Sequence, residues 1–146
     1  MKLTKTFYIL LLVTGIAACD KTDDQLGVPR IEWVTYGPQE IKAFSDSVYF
    51  EVYYEDQDGD IGINDPSAYN LFLEDQRIPL TYKFRISELT PDRQALSISG
   101  NLKLSLPNTV LVNGSTAELV NYKLYLVDRA GHQSNILTTN ALNVIP

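Results

Sequence analysis

The stretch VYFEVYYE, residues 48–55, constrains the fold of this chain more than any other eight residues. Val48, Phe50, Val52 and Tyr54 fall on one side of an extended strand, and Tyr49, Glu51, Tyr53 and Glu55 on the other, because successive side chains of a strand point to opposite faces. A helix would scatter the same residues around its circumference. One apolar and one polar side describe a strand in a sheet packed on one face and wet on the other. The alternation returns in ALSISGNLKLSL (95–106), where Leu96, Ile98, Leu102, Leu104 and Leu106 share a side. Gly100 interrupts it and predicts a β-bulge. In NYKLYLV (121–127), Tyr122, Leu124 and Leu126 line up in the same way. RIEWVTY (30–36), YNLFLE (69–74), TYKFRI (81–86) and ILTTNALNVI (136–145) are further strand candidates. Turn chemistry separates them at Gly37-Pro38, Asp58-Gly59, Thr90-Pro91-Asp92, Pro107-Asn108, Asn113-Gly114 and Ala130-Gly131. Only Thr90-Pro91 could start a short helical turn. About seven strands without a long helical period predict an all-β sandwich.

The amino terminus has a different pattern. Lys2 and Lys5 precede an apolar run from Phe7 to Ala18, and the small residues Ala17 and Ala18 stand before Cys19, the layout of a secretory signal peptide. A membrane-spanning helix needs roughly 20 apolar residues, more than this run supplies. Cys19 is the sole cysteine, so no disulfide can form within the chain and stability must come from a packed core. Residues 1–18 carry two lysines and no acid, and their removal takes the formal net charge from −6 to −8. So acidic a chain, without Lys/Arg clusters, is excluded as a nucleic-acid binder. Residues 1–18 therefore read as a signal peptide, 19–29 as a polar tether and 30–146 as one domain. Ten tether residues reach about 30–35 Å at full extension.

Three resemblances add to this reading. Ile16-Ala17-Ala18-Cys19 resembles a bacterial lipobox, which implies a diacylglycerol on the Cys19 thiol and an acyl chain such as palmitate on the new amino terminus. Several chains, at about 0.8 kcal/mol per buried CH₂, hold a protein firmly to a bilayer. Asp20-Lys21-Thr22-Asp23-Asp24 resembles the acidic signal that follows the lipidated cysteine in surface-exposed lipoproteins of the Bacteroidota, and implies the outer membrane, facing the cell exterior. YKLYLVDRAGHQSN (122–135) resembles the late hairpin of bacterial immunoglobulin-like modules. It implies an immunoglobulin-like β-sandwich with Tyr122 as the corner tyrosine and Leu124 where antibody domains carry a cysteine. YYEDQDGDIG, LTPDRQALSISG and YLVDRAGHQSN together are similar to a group of small Bacteroidota outer-membrane lipoproteins with no assigned reaction.

That topology places one polar cluster. If VYFEVYYE is the second strand and YNLFLE the third, DQDGDIGIND (56–65) joins them, and DRAGHQ (128–133) joins the last two strands at the same pole. Asp56, Asp58, Asp60, Asp65 and Asp128 then converge, with Arg129 and His132 nearby, where the chain enters the first strand. Several loop carboxylates suit Ca²⁺, which takes six to eight oxygen ligands in flexible geometry, and Asp56, Asp58, Asp60 and Asp128 are the candidate ligands. The motif is not an EF-hand: Ile61 stands where the glycine is needed and Ser67 at the twelfth position. Two other readings remain open, tight turns closed by side-chain to backbone hydrogen bonds and an acidic patch facing a partner.

Catalysis has little to work with. His132 is the only histidine, and no Gly-x-Ser-x-Gly elbow or zinc-ligand spacing occurs. Ser134, two residues on, is the one serine that could be cast as a nucleophile beside it. The expected role is a non-catalytic protein-binding or scaffolding module of an outer-membrane assembly, held to the membrane by its lipid. The alternative is a glycan- or nutrient-binding accessory lipoprotein of an uptake system. Tyr49, Tyr53 and Tyr125 face outward but on different sheets, so they form no single platform, and Trp33 reads as packing. Asp46-Ser47-Val48 resembles the Bacteroidota O-glycosylation pattern and makes Ser47 a candidate acceptor. Asn113-Gly114-Ser115 fits the N-glycosylation sequon and reads here as a turn.

Overall fold

The alternating runs become strands in the computed structural model, which describes residues 27–90 and 95–146. The signal peptide, Cys19, the tether up to residue 26 and the turn at Pro91 lie outside the described residues. Ten strands follow in order: β1 (Arg30–Gly37), β2 (Glu40–Lys42), β3 (Ser47–Asp56), β4 (Leu71–Asp75), β5 (Leu80–Phe84), β6 (Ile98–Pro107), β7 (Glu118–Val120), β8 (Tyr122–Leu126), β9 (Leu137–Thr138) and β10 (Leu142–Ile145). The expected seven become ten because the short strands β2 and β7 lie outside the expected runs and the run ILTTNALNVI is cut into β9 and β10. Asn121 separates β7 from β8, and residues 139–141 separate β9 from β10. At that double break the Tyr122 N–H donates to Thr139 Oγ1 (2.9 Å) and the Asn121 side chain to the Thr139 carbonyl (2.8 Å).

The ladders are β1-β3-β6, β5-β4-β8-β9 and β2-β10-β7. The last two share the β7–β8 and β9–β10 runs and so continue one another as the layer facing the first. The chain passes from one layer to the other at Gly37-Pro38, since Pro38 has no N–H with which to extend the β1 ladder. Past it, β2 pairs in parallel with β10, while β7 pairs antiparallel on the other side of β10.

Between the layers lies one core. The inward side of β3, Val48, Phe50, Val52 and Tyr54, packs with Leu71 and Leu73 of β4 and Tyr122, Leu124 and Leu126 of β8. The residues of β3 and β8 are those selected by the alternation, and β4 adds Leu71 and Leu73. Each fully buried side chain of this size contributes about 1.5–3 kcal/mol. Phe50 meets Tyr122 edge-on at 5.4 Å between ring centroids, and Trp33 stacks at 6.0 Å on Phe50, so Trp33 is a packing residue.

Two expectations are corrected. The β3–β6 ladder runs in unbroken register from Ser47↔Pro107 to Asp56↔Ile98, so Gly100 makes no bulge. It lies opposite Tyr54, and a Cβ there would stand 3.0 Å from the Tyr54 hydroxyl, so the glycine makes room for a ring. The register shift lies in β1 between Trp33 and Thr35. Leu96 is exposed and precedes β6 rather than belonging to its inward face. Tyr122 is fully buried, and its hydroxyl lies beside Thr109 Oγ1 without a hydrogen bond of normal geometry.

The turn after β4 carries a buried ion network. Arg77 donates to both oxygens of Asp75 (Nε 3.1 Å, Nη2 2.7 Å), to Glu118 Oε2 (2.9 Å) and to the Val110 carbonyl (3.0 Å). Glu118 also accepts from the Val112 and Asn113 N–H groups. Burial pushes its carboxyl up, but those N–H groups and Arg77 outweigh burial and hold it below the usual carboxylate range.

Candidate functional site at the acidic pole

The period-two pattern of β3 places Asp56 on the inward side, one step beyond Tyr54, so a carboxylate occupies a core position and is 1% exposed. Its Oδ2 accepts the Ile61 N–H at 3.1 Å, closing the loop 56–61 on itself, and Ile61 is fully buried beneath that loop. Gly59 adopts φ +70°, and a Cβ there would come within 2.1 Å of the Leu96 carbonyl, so neither conformation nor space admits a side chain. The Leu96 N–H donates to the Asp58 carbonyl (3.3 Å) and Thr90 Oγ1 to the Gly59 carbonyl (3.0 Å). The loop is thereby fastened to the segment before β6.

Asp60 joins the two loops of the pole. Its Oδ2 accepts the Ala130 N–H (3.0 Å) and its carbonyl the Arg129 N–H (3.3 Å). Arg129 donates from Nη1 to the Gly62 carbonyl (3.1 Å) and lies 3.6 Å from Glu88. Asp128 is buried beside this junction but is otherwise engaged: Oδ1 accepts the His132 N–H (2.7 Å) and Oδ2 lies 3.0 Å from His132 Nδ1. The same imidazole nitrogen is 3.0 Å from the carbonyl of Gly27, the first described residue. The chain therefore does enter β1 at the acidic pole. The charge of Asp128 and its hydrogen bond raise the His132 pKa above its ordinary value.

Of the four candidate metal ligands, three converge. One oxygen from each of Asp56, Asp58 and Asp60 lies within 4.8 Å of the others, so the trio could hold one ion. In each of the three, Oδ1 is buried without a hydrogen-bond partner. Burial, with the Asp58 carboxylate next to it, pushes Asp56 up to about 6. Asp60 is also raised, first by burial and then by the charges of Asp128 and Asp58. Asp65 stays outside the trio: its Oδ1 accepts from the Ser67 N–H (2.8 Å) and hydroxyl (2.6 Å) in an exposed turn. Ser134 is no nucleophile, since its buried hydroxyl donates to the Asn135 carbonyl (2.8 Å) and accepts from the Leu126 N–H (3.1 Å).

The remaining predicted residues are scattered. Ser47 is exposed at the start of β3, after a turn in which Asp46 Oδ2 accepts the Lys42 N–H (2.8 Å). Tyr49 is exposed, and Tyr53 donates to Glu55 at 3.0 Å. Tyr125 stacks on Phe72 at 5.1 Å in the other layer. Cys19 lies outside the described residues. Among those described, no helix is long and apolar enough to cross a membrane.

One feature escapes sequence reasoning altogether. Phe44, in the turn between β2 and β3, is 73% exposed and has φ +60°, a conformation costly for a bulky side chain. The turn is held by Phe44 N–H to Thr109 carbonyl (3.0 Å) and Asp46 N–H to Lys42 carbonyl (2.9 Å). In the sequence this region is marked only by the glycosylation-like Asp46-Ser47-Val48, which says nothing of Phe44. No protein-family model, curated protein or solved structure matches the chain.

Proposed function

We propose that this chain is a lipid-anchored outer-membrane lipoprotein of the Bacteroidota type, facing the cell exterior. Its immunoglobulin-like sandwich acts as a non-catalytic protein-binding or scaffolding module of a membrane assembly. The lipobox-like run ending at Cys19 supports the anchor. The parallel pairing of β2 with β10, opposite the antiparallel β7–β10 pair, supports the immunoglobulin-like arrangement.

The observation that carries the binding role is Phe44. The tether joins at Gly27, beside Asp58 and His132. The ten residues of β3, about 33 Å of strand, separate that pole from the turn holding Phe44. Exposed Leu80 and Val112 belong to the same far pole, which Arg77 links by its bonds to Val110 and Glu118. An exposed aromatic held in a strained backbone is a feature of recognition surfaces. Here it sits where a partner would be met away from the membrane.

Phe44→Gly relieves the backbone strain while deleting the ring. The variant should melt no lower than the wild type and should lose the partner recovered from mildly solubilised native membranes. Equal recovery by both would remove the far pole from the account. Mass spectrometry of the mature product should find acyl chains on Cys19, and protease added to intact cells should degrade the protein. A free thiol or full protection would overturn the address.

A second reading, a glycan-binding accessory of an uptake system, is favoured by a polar cleft of about 450 Å³ between Arg30, Glu55, Gln57, Ser97 and Ser99. Its size suits a small ligand. Binding to a polysaccharide array that is lost on Gln57→Ala would favour this reading over the scaffold.

A further inference from the structure

We propose that Asp56, Asp58 and Asp60 form a calcium site at the tethered pole of the sandwich. This goes beyond the binding role, which would stand without it. Asp56 is 1% exposed, yet its Oδ1 has no hydrogen-bond partner, and the same is true of Oδ1 in Asp58 and Asp60. Native proteins satisfy nearly all buried polar atoms, so three orphans in one loop mark a missing partner. A buried carboxylate left without a counter-charge is costlier still.

The missing partner is a cation rather than a hydrogen-bond donor. The three residues present one oxygen each within 4.8 Å of one another. Two oxygens on one calcium, each bonded at 2.3–2.6 Å, stand at most about 5 Å apart, so the trio fits around a single ion. A shared proton would bridge one pair of carboxylates and leave the third oxygen bare. The donor set is oxygen alone, which selects calcium or magnesium over the metals that take nitrogen and sulfur. Three carboxylates on an irregular loop suit the looser shell of calcium better than the strict octahedron of magnesium.

The rest of the pole is arranged around that gap. The second oxygens of Asp56 and Asp60 are already used, by the Ile61 and Ala130 N–H groups, which orients the free ones. The Asp58 and Asp60 carbonyls accept from Leu96 and Arg129, and the Gly59 carbonyl from Thr90. Water would complete the shell. Asp128, whose two oxygens face His132, falls outside the ligand set and acts as a positioning residue for the second loop. Because Asp58 Oδ2 also abuts Gly27, ion binding would stiffen the point where the tether leaves the domain.

The test uses the full mature chain with its lipid, in detergent. Calorimetric titration with CaCl₂ after chelator treatment should give one ion per chain. Calcium at about ten times its Kd should raise the Tm by about 5 °C. MgCl₂ should bind at least tenfold more weakly. Asp58→Asn, at the half-exposed edge of the trio, should keep the fold and weaken calcium binding at least tenfold, while Asp65→Asn should leave it unchanged. No binding heat together with identical melting in calcium and in chelator would overturn the proposal, and this arm needs no variant. Unchanged affinity in Asp58→Asn would overturn the ligand set, and equal binding of magnesium the choice of calcium.

Discussion

At the pole away from Gly27, Asp75 and Glu118 are sunk in the sandwich with the Arg77 guanidinium between them, its side chain 10% exposed. At the pole where the chain enters β1, Asp56, Asp58 and Asp60 converge, and among the described residues no Lys, Arg or His side chain is bonded to any of the three. Both are clusters of carboxylates at the ends of strands. In the first, the chain supplies its own cation and every charged oxygen accepts from Arg77 or a backbone N–H. In the second, like charges about 5 Å apart repel by roughly 3 kcal/mol per pair at an effective dielectric near 20. The difference separates a structural ion network from a site that awaits a ligand: counter-charge built in, or left out.

The sharpest way to break that comparison is to remove the built-in cation. Arg77→Met leaves Asp75 and Glu118 buried without their partner and should cost about 3–5 kcal/mol. That would appear as a fall of more than 10 °C in the Tm, and calcium should not restore it. If calcium did restore it, the two poles would not be chemically distinct. Acidification tests the other side. Asp56, raised to about 6, and Asp60, also raised, bind protons more tightly in the folded chain than in the unfolded one. Between pH 4 and 6 the native state therefore holds the extra proton, and stability falls as pH rises. His132, also raised, acts in the same direction: its contribution is full below its unfolded value and lost as pH climbs through the folded one. Glu118 is lowered, so its contribution is present above the unfolded carboxylate range and fades only as pH falls through its folded value. In chelator, the Tm should thus rise by several degrees from pH 7 to pH 5. With calcium present the trend should flatten or reverse, because protons and metal compete for the same oxygens. A Tm that falls between pH 7 and 5 in chelator would mean that the trio is not crowded.

These two clusters also show what could be read from the chain alone. The Asp56-x-Asp58-x-Asp60 run is local, so spacing and turn chemistry brought it to notice, and its membership of one loop was legible once VYFEVYYE was read as a strand. The exclusion of Asp128 was not, because it depends on His132 folding back over both of its oxygens. The Arg77 network was invisible for a related reason. Glu118 is 41 residues from Arg77, and nothing in EDQRIP or TAELV announces a buried ion pair. Much of the core followed directly from alternation, since β3 and β8 bury the residues that the period-two pattern selects. Gly100 shows where a local rule misleads. The same residue that suggests a bulge can instead clear space for a ring on the neighbouring strand, and only the register of β3 on β6 tells the two apart.

A third buried polar group sharpens the comparison at its small end, because it is neutral. The Tyr122 hydroxyl and Thr109 Oγ1 lie close together without a hydrogen bond of normal geometry, and burial, against the lowering effect of Thr109, pushes the phenol up to about 12. With no charge to balance, the only cost is that of drying a hydroxyl, and deleting it returns that cost while keeping the ring against Phe50. Tyr122→Phe should therefore leave stability within about 0.5 kcal/mol of the wild type, read as a Tm change of less than about 3 °C. A corner tyrosine of the immunoglobulin type bonds its hydroxyl back to the main chain. A loss well beyond that range on Tyr122→Phe would show that this bond exists in solution. It would also show that an orphaned atom at this pole marks a relaxed side chain, in contrast to the three carboxylates at the other, where repulsion admits no such remedy without a cation.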